Sequence, residues 1–147
     1  MNTEEITVVV VDEWDAEDIV ALYCSAGWWD GDADAASVIL PLFKGSYAVV
    51  VAHDKDNKAV GMGRLISDGV ADAYIQDVVV NPRCRGQGIG KRIVQLLVDT
   101  CHEAGITWIA LIAEPGTHTF YTPLGFMPMD NHLPMKYEGV KENNDHP

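Results

Sequence analysis

The sequence predicts one α/β domain, and three observations carry that expectation. The first is length: 147 residues make a single domain large enough to bury a proper core. The second is alternation, because β-branched runs that end at turn signals are interleaved with segments of helical apolar spacing. The third is the stretch from Tyr74 to Cys101, where a β-branched strand, a glycine-rich turn and an amphipathic helix follow one another directly.

Taken in order, residues 6–11 form a β-rich opening strand, and residues 12–15 supply acidic and capping groups for a helix through about Cys24. Its apolar set is Ile19, Val20, Leu22 and Tyr23. A polar loop follows, interrupted by Trp28 and Trp29, and residues 34–42 read as a short second helix. Residues 46–52 and 59–67 are the strands of a hairpin that turns through the polar cluster at 54–58. Asp68-Gly69 is a second turn signal leading into the central strand, which stops at Asn81-Pro82. Ile89, Ile93, Leu96, Leu97 and Cys101 then fall at helical spacing, in a helix that ends near Gly105. The continuous apolar run at 108–113 is expected to be a strand buried on both faces. A last strand is expected at 133–137, and residues 138–147 read as a polar, flexible tail. Repeats and internal linkers are absent from the sequence, so residues 1–147 are expected to be one domain.

Hydrophobic content of 48% and charged content of 22% are those of an ordinary globular protein. No apolar run is long enough to span a membrane, and the acidic start of the chain is unlike a signal peptide. Cys24, Cys84 and Cys101 are odd in number and widely spaced, which predicts neither a disulfide framework nor a metal site and fits a reducing cytoplasm. A net charge of −12 argues against nucleic acid and inclines toward a cationic or amine ligand.

The turn between strand and helix reads Arg85-Gly86-Gln87-Gly88-Ile89-Gly90-Lys91. It places free backbone N–H groups at a helix start, a setting that suits phosphate or pyrophosphate. A nucleotide P-loop is excluded, because Gly90-Lys91 is followed by Arg92 and the residue five before Gly90 is Arg85. The dinucleotide fingerprint fails at its third glycine interval. What remains is Val80-Asn81-Pro82 followed by Arg-x-x-Gly-x-Gly, which resembles the acyl-CoA motif of the GNAT acetyltransferase superfamily. Further along, Phe120-Tyr121-x-x-Leu124-Gly125-Phe126 is similar to a second element of that superfamily. The resemblance covers roughly residues 6–137. Gly61-Met62-Gly63-Arg64 and Ala26-Gly27-Trp28 resemble a small, single-domain bacterial subgroup.

The resemblance implies a mixed, mostly antiparallel sheet flanked by helices, binding acetyl-CoA as co-substrate with no metal. The main chain at Arg85, Gly86, Gln87, Gly88, Ile89, Gly90 and Lys91 is then expected to hold the pyrophosphate. Charge would come from Arg85 and from Lys91 or Arg92. Val78, Val79 and Val80 are expected to pair through their backbone with the pantetheine arm. An N–H of that strand, that of Val78, would meet the oxyanion. Tyr121 is implied as the acid that protonates the leaving thiolate. Asp77, a polar residue in an apolar strand, is the candidate base beside the alternatives of His118 or a water chain. Period-2 alternation puts Gln76 on the face opposite Asp77. Trp28 and Trp29 either wall the acceptor pocket or fold back onto the core. Pro115-Gly116 and Pro123 depart from the family pattern and shorten the helix that carries Tyr121.

The activity so implied is acetyl transfer to a primary amine by direct attack in a ternary complex, the amine belonging to a small molecule or a peptide N-terminus. The alternative is a non-catalytic acyl-CoA-binding regulatory module. A homodimer is left open.

Overall fold

The computed structural model describes residues 5–32 and 34–140. Five strands, β1 (Thr7–Val11), β2 (Ala48–His53), β3 (Ala59–Ser67), β4 (Asp72–Val80) and β5 (Trp108–Ala110), form one sheet in the order β1-β2-β3-β4-β5. The first four pair antiparallel through short connections, and β5 joins β4 in parallel, so the sheet is mixed. Helix α3 (Ile89–Glu103) is the crossover between β4 and β5 and covers one face. Helices α1 (Ala16–Ser25) and α2 (Ile39–Gly45) lie on the other, with a 3₁₀ turn at Ala35–Val38 leading into α2. The expected second helix at 34–42 is thus a 3₁₀ turn and a later α-helix, with Pro41 tolerated in its first turn.

Helix α3 is amphipathic, and Ile89, Ile93, Val94, Leu97 and Cys101 form its buried stripe. Two glycines in β3 let it lie close to the sheet. A Cβ at Gly63 would stand 3.0 Å from both Ile93 Cγ2 and Leu97 Cδ1, and one at Gly61 would stand 2.9 Å from Ile93 Cδ1. At its far end Gly105 N–H donates to His102 O at 3.0 Å and Ile106 N–H to Cys101 O at 2.9 Å. That is a Schellman stop, made possible by φ of +80° at Gly105. On the opposite face, buried Asp18 of α1 accepts from Ala59 N–H at 2.7 Å and from the Trp14 indole at 2.9 Å, tying α1 to the start of β3.

Two expectations fail in the last third of the chain. The run at 108–113 is a strand only over Trp108–Ala110, and Ile112 is 72% exposed. Trp108 is 41% exposed and the rest of β5 is only half-buried, so the run is not covered on both faces. The strand expected at 133–137 is not formed, and Leu133, Met135 and Tyr137 are all more than 80% exposed. Pro134 removes a donor from the middle of that segment, and alternation alone cannot hold a strand without ladder partners. Of the tail expected at 138–147, residues 141–147 lie outside the described residues. No helix among the described residues is long and apolar enough to cross a membrane.

Candidate active site

The site forms where β4 parts from its neighbours. On the β5 side, pairing covers only Asp72–Tyr74, so from Ile75 to Val80 the edge of β4 has no strand beside it among the described residues. On the β3 side, Met62 pairs with Val79 and Arg64 with Gln76, which leaves β4 one residue longer than β3 in that interval. This is a bulge, and Asp77 sits in it with φ of +57°, a left-handed conformation uncommon for any residue but glycine, asparagine or aspartate. The bulge also breaks the strict alternation expected for Gln76 and Asp77. Val79 packs toward α1, whereas Val78 and Val80 pack toward α3. Val79, paired with Met62, and Asn81, bonded to Val60, turn their main chain to β3, so Val80 between them turns its own to the open edge, while the side chains of all three valines go to the two cores.

Asp77 is held from two directions. Its Oδ2 accepts from the Tyr23 hydroxyl and from Arg64 Nε, each at 2.6 Å, and Arg64 Nη1 reaches Ser46 Oγ at 3.2 Å. Burial, and then the hydrogen bond to Asp77, push the Tyr23 hydroxyl far above the ordinary tyrosine range. These contacts connect α1, the end of α2, β3 and β4 at the bulge. Neither Tyr23 nor Arg64 emerged from the sequence as a functional residue. The one signal was an arginine inside the otherwise apolar β3, which demands a partner.

At the end of β4, Asn81 N–H donates to Val60 O at 2.7 Å, and its side chain accepts from Arg83 N–H at 3.0 Å. The glycine turn follows. Gly86 and Gly88 have φ of +80° and +76°, and no atom lies within 4 Å of where a Cβ would stand on either. Gly88 is the N-cap of α3 and supplies no side-chain cap, so the first N–H groups of a 15-residue helix face open space. Beside them, Gln87 Oε1 is buried without a hydrogen-bond partner. A glycine cradle at an uncapped helix start, beside an amide oxygen that has no partner among the described residues, fits a polyphosphate bearing both acceptors and a hydroxyl. Ile89 is buried and contributes only main chain, Lys91 is exposed, and Arg85 folds back so that its Nε donates to Val80 O at 3.4 Å. Arg92, the alternative cation, is committed elsewhere: its Nη2 donates to Ile6 O at 3.0 Å. Among the described residues no group of three or more metal-ligating side chains occurs.

The second motif leans on this turn. Helix α4 (His118–Tyr121) continues as a 3₁₀ turn through Thr122–Leu124 and stops at Gly125, with φ of +103°. Pro123 lies in that turn, as the departure from the family pattern led one to expect. The Phe120 ring lies over Gly90, where a Cβ would come within 3.2 Å of its Cζ. Tyr121 packs against the α3-side core between Phe120 and Phe126, with ring centroids 4.9 and 6.0 Å away. Its hydroxyl makes no hydrogen bond within the described residues, and its pKa is raised by burial and then by the negative charge of Glu114.

Trp28 and Trp29 divide their labour. Trp29 stacks on Tyr23 at 4.2 Å and serves the core. Trp28 meets the Tyr23 ring edge-on at 5.6 Å and donates its indole N–H to Glu114 Oε1 at 3.0 Å. Glu114, which the sequence did not single out, links the loop after α1 to the loop before α4. A line of contacts thus runs Arg64–Asp77–Tyr23–Trp28–Glu114, and the charge of Glu114 at its end acts on Tyr121. A hollow of about 790 Å³ lies elsewhere, between the start of α1, α2 and the β2–β3 turn, and none of the predicted site residues lines it. Its volume alone gives it no chemistry.

A sheet that opens beside a glycine-turned helix start, with a tyrosine-bearing helix resting on that start, is the fold of the acyl-CoA N-acyltransferases. The chain belongs to the acetyltransferase (GNAT) family, which it matches over residues 10–126. It is 36% identical over 94 residues to GCN5-related N-acetyltransferase 1, chloroplastic, of Arabidopsis thaliana, covering 64% of this chain and 48% of that protein. Over 75 residues it is 40% identical to serotonin N-acetyltransferase 2, chloroplastic, of Oryza sativa subsp. japonica, covering 51% of this chain and 38% of that one. The chain spans about half the length of the curated relatives it matches. Among solved structures, a GNAT family acetyltransferase from Streptococcus pneumoniae superposes with a TM-score of 0.77 at 24% identity, over 92% of this chain and 99% of that one. A probable acetyltransferase of unknown function from Staphylococcus aureus gives 0.73 at 28% identity, over 90% and 99%.

Proposed function

We propose that this protein transfers the acetyl group of acetyl-CoA to a primary amine, which attacks the thioester directly while both substrates are bound. The observation that carries this reading is the unpaired edge of β4 at 75–80, which runs straight into the open glycine turn. An extended pantetheine arm adds to such an edge as a strand would, and the pyrophosphate then falls on the N–H groups of Gly88 to Lys91. The serotonin named for the rice relative is an amine, which supports the acceptor class.

In this reading the amine first gives its ammonium proton to water, the neutral nitrogen then forms a bond to the thioester carbon, and the oxyanion is met by the Val78 N–H. As the C–S bond breaks, the Tyr121 hydroxyl gives its proton to the thiolate and recovers one from solvent, while the amine's surplus proton leaves to water. A raised pKa keeps Tyr121 protonated well into the alkaline range, as an acid requires. The carboxylate of Asp77 is engaged by Tyr23 and Arg64, so its part here is to hold the bulge.

The test is calorimetric titration of acetyl-CoA into the protein and into Gly88→Trp, followed by thiol release with a panel of amines. Micromolar binding that the variant loses, with thiol released in the presence of an amine, is the expected result. Absence of binding by the natural sequence would refute acetyl transfer. Binding without thiol release for any amine would favour the regulatory-module alternative. With a working amine, Tyr121→Phe is expected to lower kcat by about 100-fold while leaving the Kd for acetyl-CoA unchanged.

A further inference from the structure

An aliphatic amine is an ammonium ion at neutral pH, so the acceptor's seat needs a carboxylate with an oxygen to spare. Two carboxylates flank the Tyr23–Trp28 ring pair, and their surroundings differ. Asp77 is already matched: one guanidinium and one phenol hydroxyl meet its Oδ2 at 2.6 Å. An ammonium brought to Asp77 would stand beside the Arg64 charge, which repels it. Glu114 has no cation within ion-pair distance among the described residues. Glu114 is exposed, and among the described residues its Oε1 receives only the Trp28 indole, at 3.0 Å, while its Oε2 is open to solvent.

The neighbours of Glu114 suit the same ligand. On one side is Trp28, a large aromatic ring able to bear an apolar body or the face of a cation. On the other is Tyr121, close enough for the Glu114 charge to act on its hydroxyl. The residue thus joins the loop after α1 to the helix that carries the candidate acid.

We propose that Glu114 and the indole of Trp28 form the seat for the acceptor's ammonium group, and that the preferred acceptors are primary amines carried on an aromatic or apolar body. This rests on the acceptor being an amine, and it assigns recognition to a residue after β5, leaving Asp77 to hold the bulge.

The experiment follows the Trp28 indole N–H resonance, assigned with Trp28→Phe, as phenethylamine or its neutral counterpart 2-phenylethanol is added to the CoA-saturated protein. Phenethylamine is expected to move that resonance saturably and 2-phenylethanol to leave it in place. Glu114→Gln should weaken the amine's effect at least tenfold and raise its KM in proportion, with the CoA affinity unchanged. Asp77→Asn should keep the amine-induced shift, which separates a local ligand from a general disturbance. The proposal is overturned if the alcohol acts as the amine does, if Glu114→Gln titrates like the natural sequence, if Asp77→Asn alone abolishes the shift, or if no shift occurs. The acetyl-CoA titration reports on the transferase reading separately. An amine seated at Glu114 in a protein that never binds acetyl-CoA would sink that reading and leave the seat.

Discussion

The chain up to Ile106 and the chain beyond it are built differently. Among the described residues, every fully buried hydrophobic side chain lies between Ile6 and Ile106. After Ile106 come half-buried contacts, such as those of Tyr121, Leu124 and Phe126, and a segment whose Met127, Leu133, Met135 and Tyr137 are largely exposed. Both parts carry a family motif, so the difference is one of support. The glycine turn stands on the longest helix among the described residues, whose inner stripe is fully buried, whereas Tyr121 stands on a single turn that leans on that helix. A group held this way opens locally at a smaller cost than global unfolding. The division suits a site in which one substrate is gripped by main chain and the other must enter and leave past Trp28 and Glu114.

The contrast can be broken first by its energetics. Leu97→Ala in α3 is expected to lower the unfolding free energy by about 2–5 kcal/mol in urea denaturation. If it costs under about 1 kcal/mol, the α3-side core is not the support described. Next comes the bulge. Asp77→Val forces a β-branched residue into a left-handed conformation and strips Arg64 of its partner, with an expected cost of about 2–3 kcal/mol and a weaker Kd for acetyl-CoA. Asp77→Asn keeps both the backbone tolerance and an acceptor oxygen, so it should cost about 1 kcal/mol and shift that Kd far less. Equal damage from the two would mean that the negative charge, not the bulge, is what matters. Smaller again is the effect of Glu114→Gln on the alkaline limb of the rate profile. Removing a charge that disfavours the phenolate lowers the Tyr121 pKa, so the limb should move to lower pH. Smallest is Met135→Ser, which should leave the melting temperature within about a degree because so little apolar surface is covered there.

Much of the first part was legible in the sequence because its signals are local. The stop at Asn81-Pro82, the glycine spacing and the stripe from Ile89 to Cys101 each act within one turn or one helix, and each is found where it was expected. The failures after Ile106 come from properties that are not local. The alternation at Leu133, Met135 and Tyr137 states which face would be buried but says nothing about whether a neighbouring strand is there to pair. The site was legible by halves for the same reason. Main-chain positions follow from glycine and valine spacing, but side-chain partners such as Tyr23 for Asp77 are 54 residues apart. Trp28 and Glu114 are 86 apart. Only the fold reveals such pairs, and an isolated arginine in β3 was the faint sign that one was required.

The close approach of Phe120 to Gly90 also carries a consequence for how this sequence can drift. The two motifs are thirty residues apart, yet they touch where glycine leaves room for a ring. A methyl group at position 90 thus requires the ring at position 120 to give by a few tenths of an ångström, so the two positions constrain each other. The pair should be inherited as a unit, and a survey of natural variants would see it as covariation between a turn and a helix that no secondary-structure boundary connects.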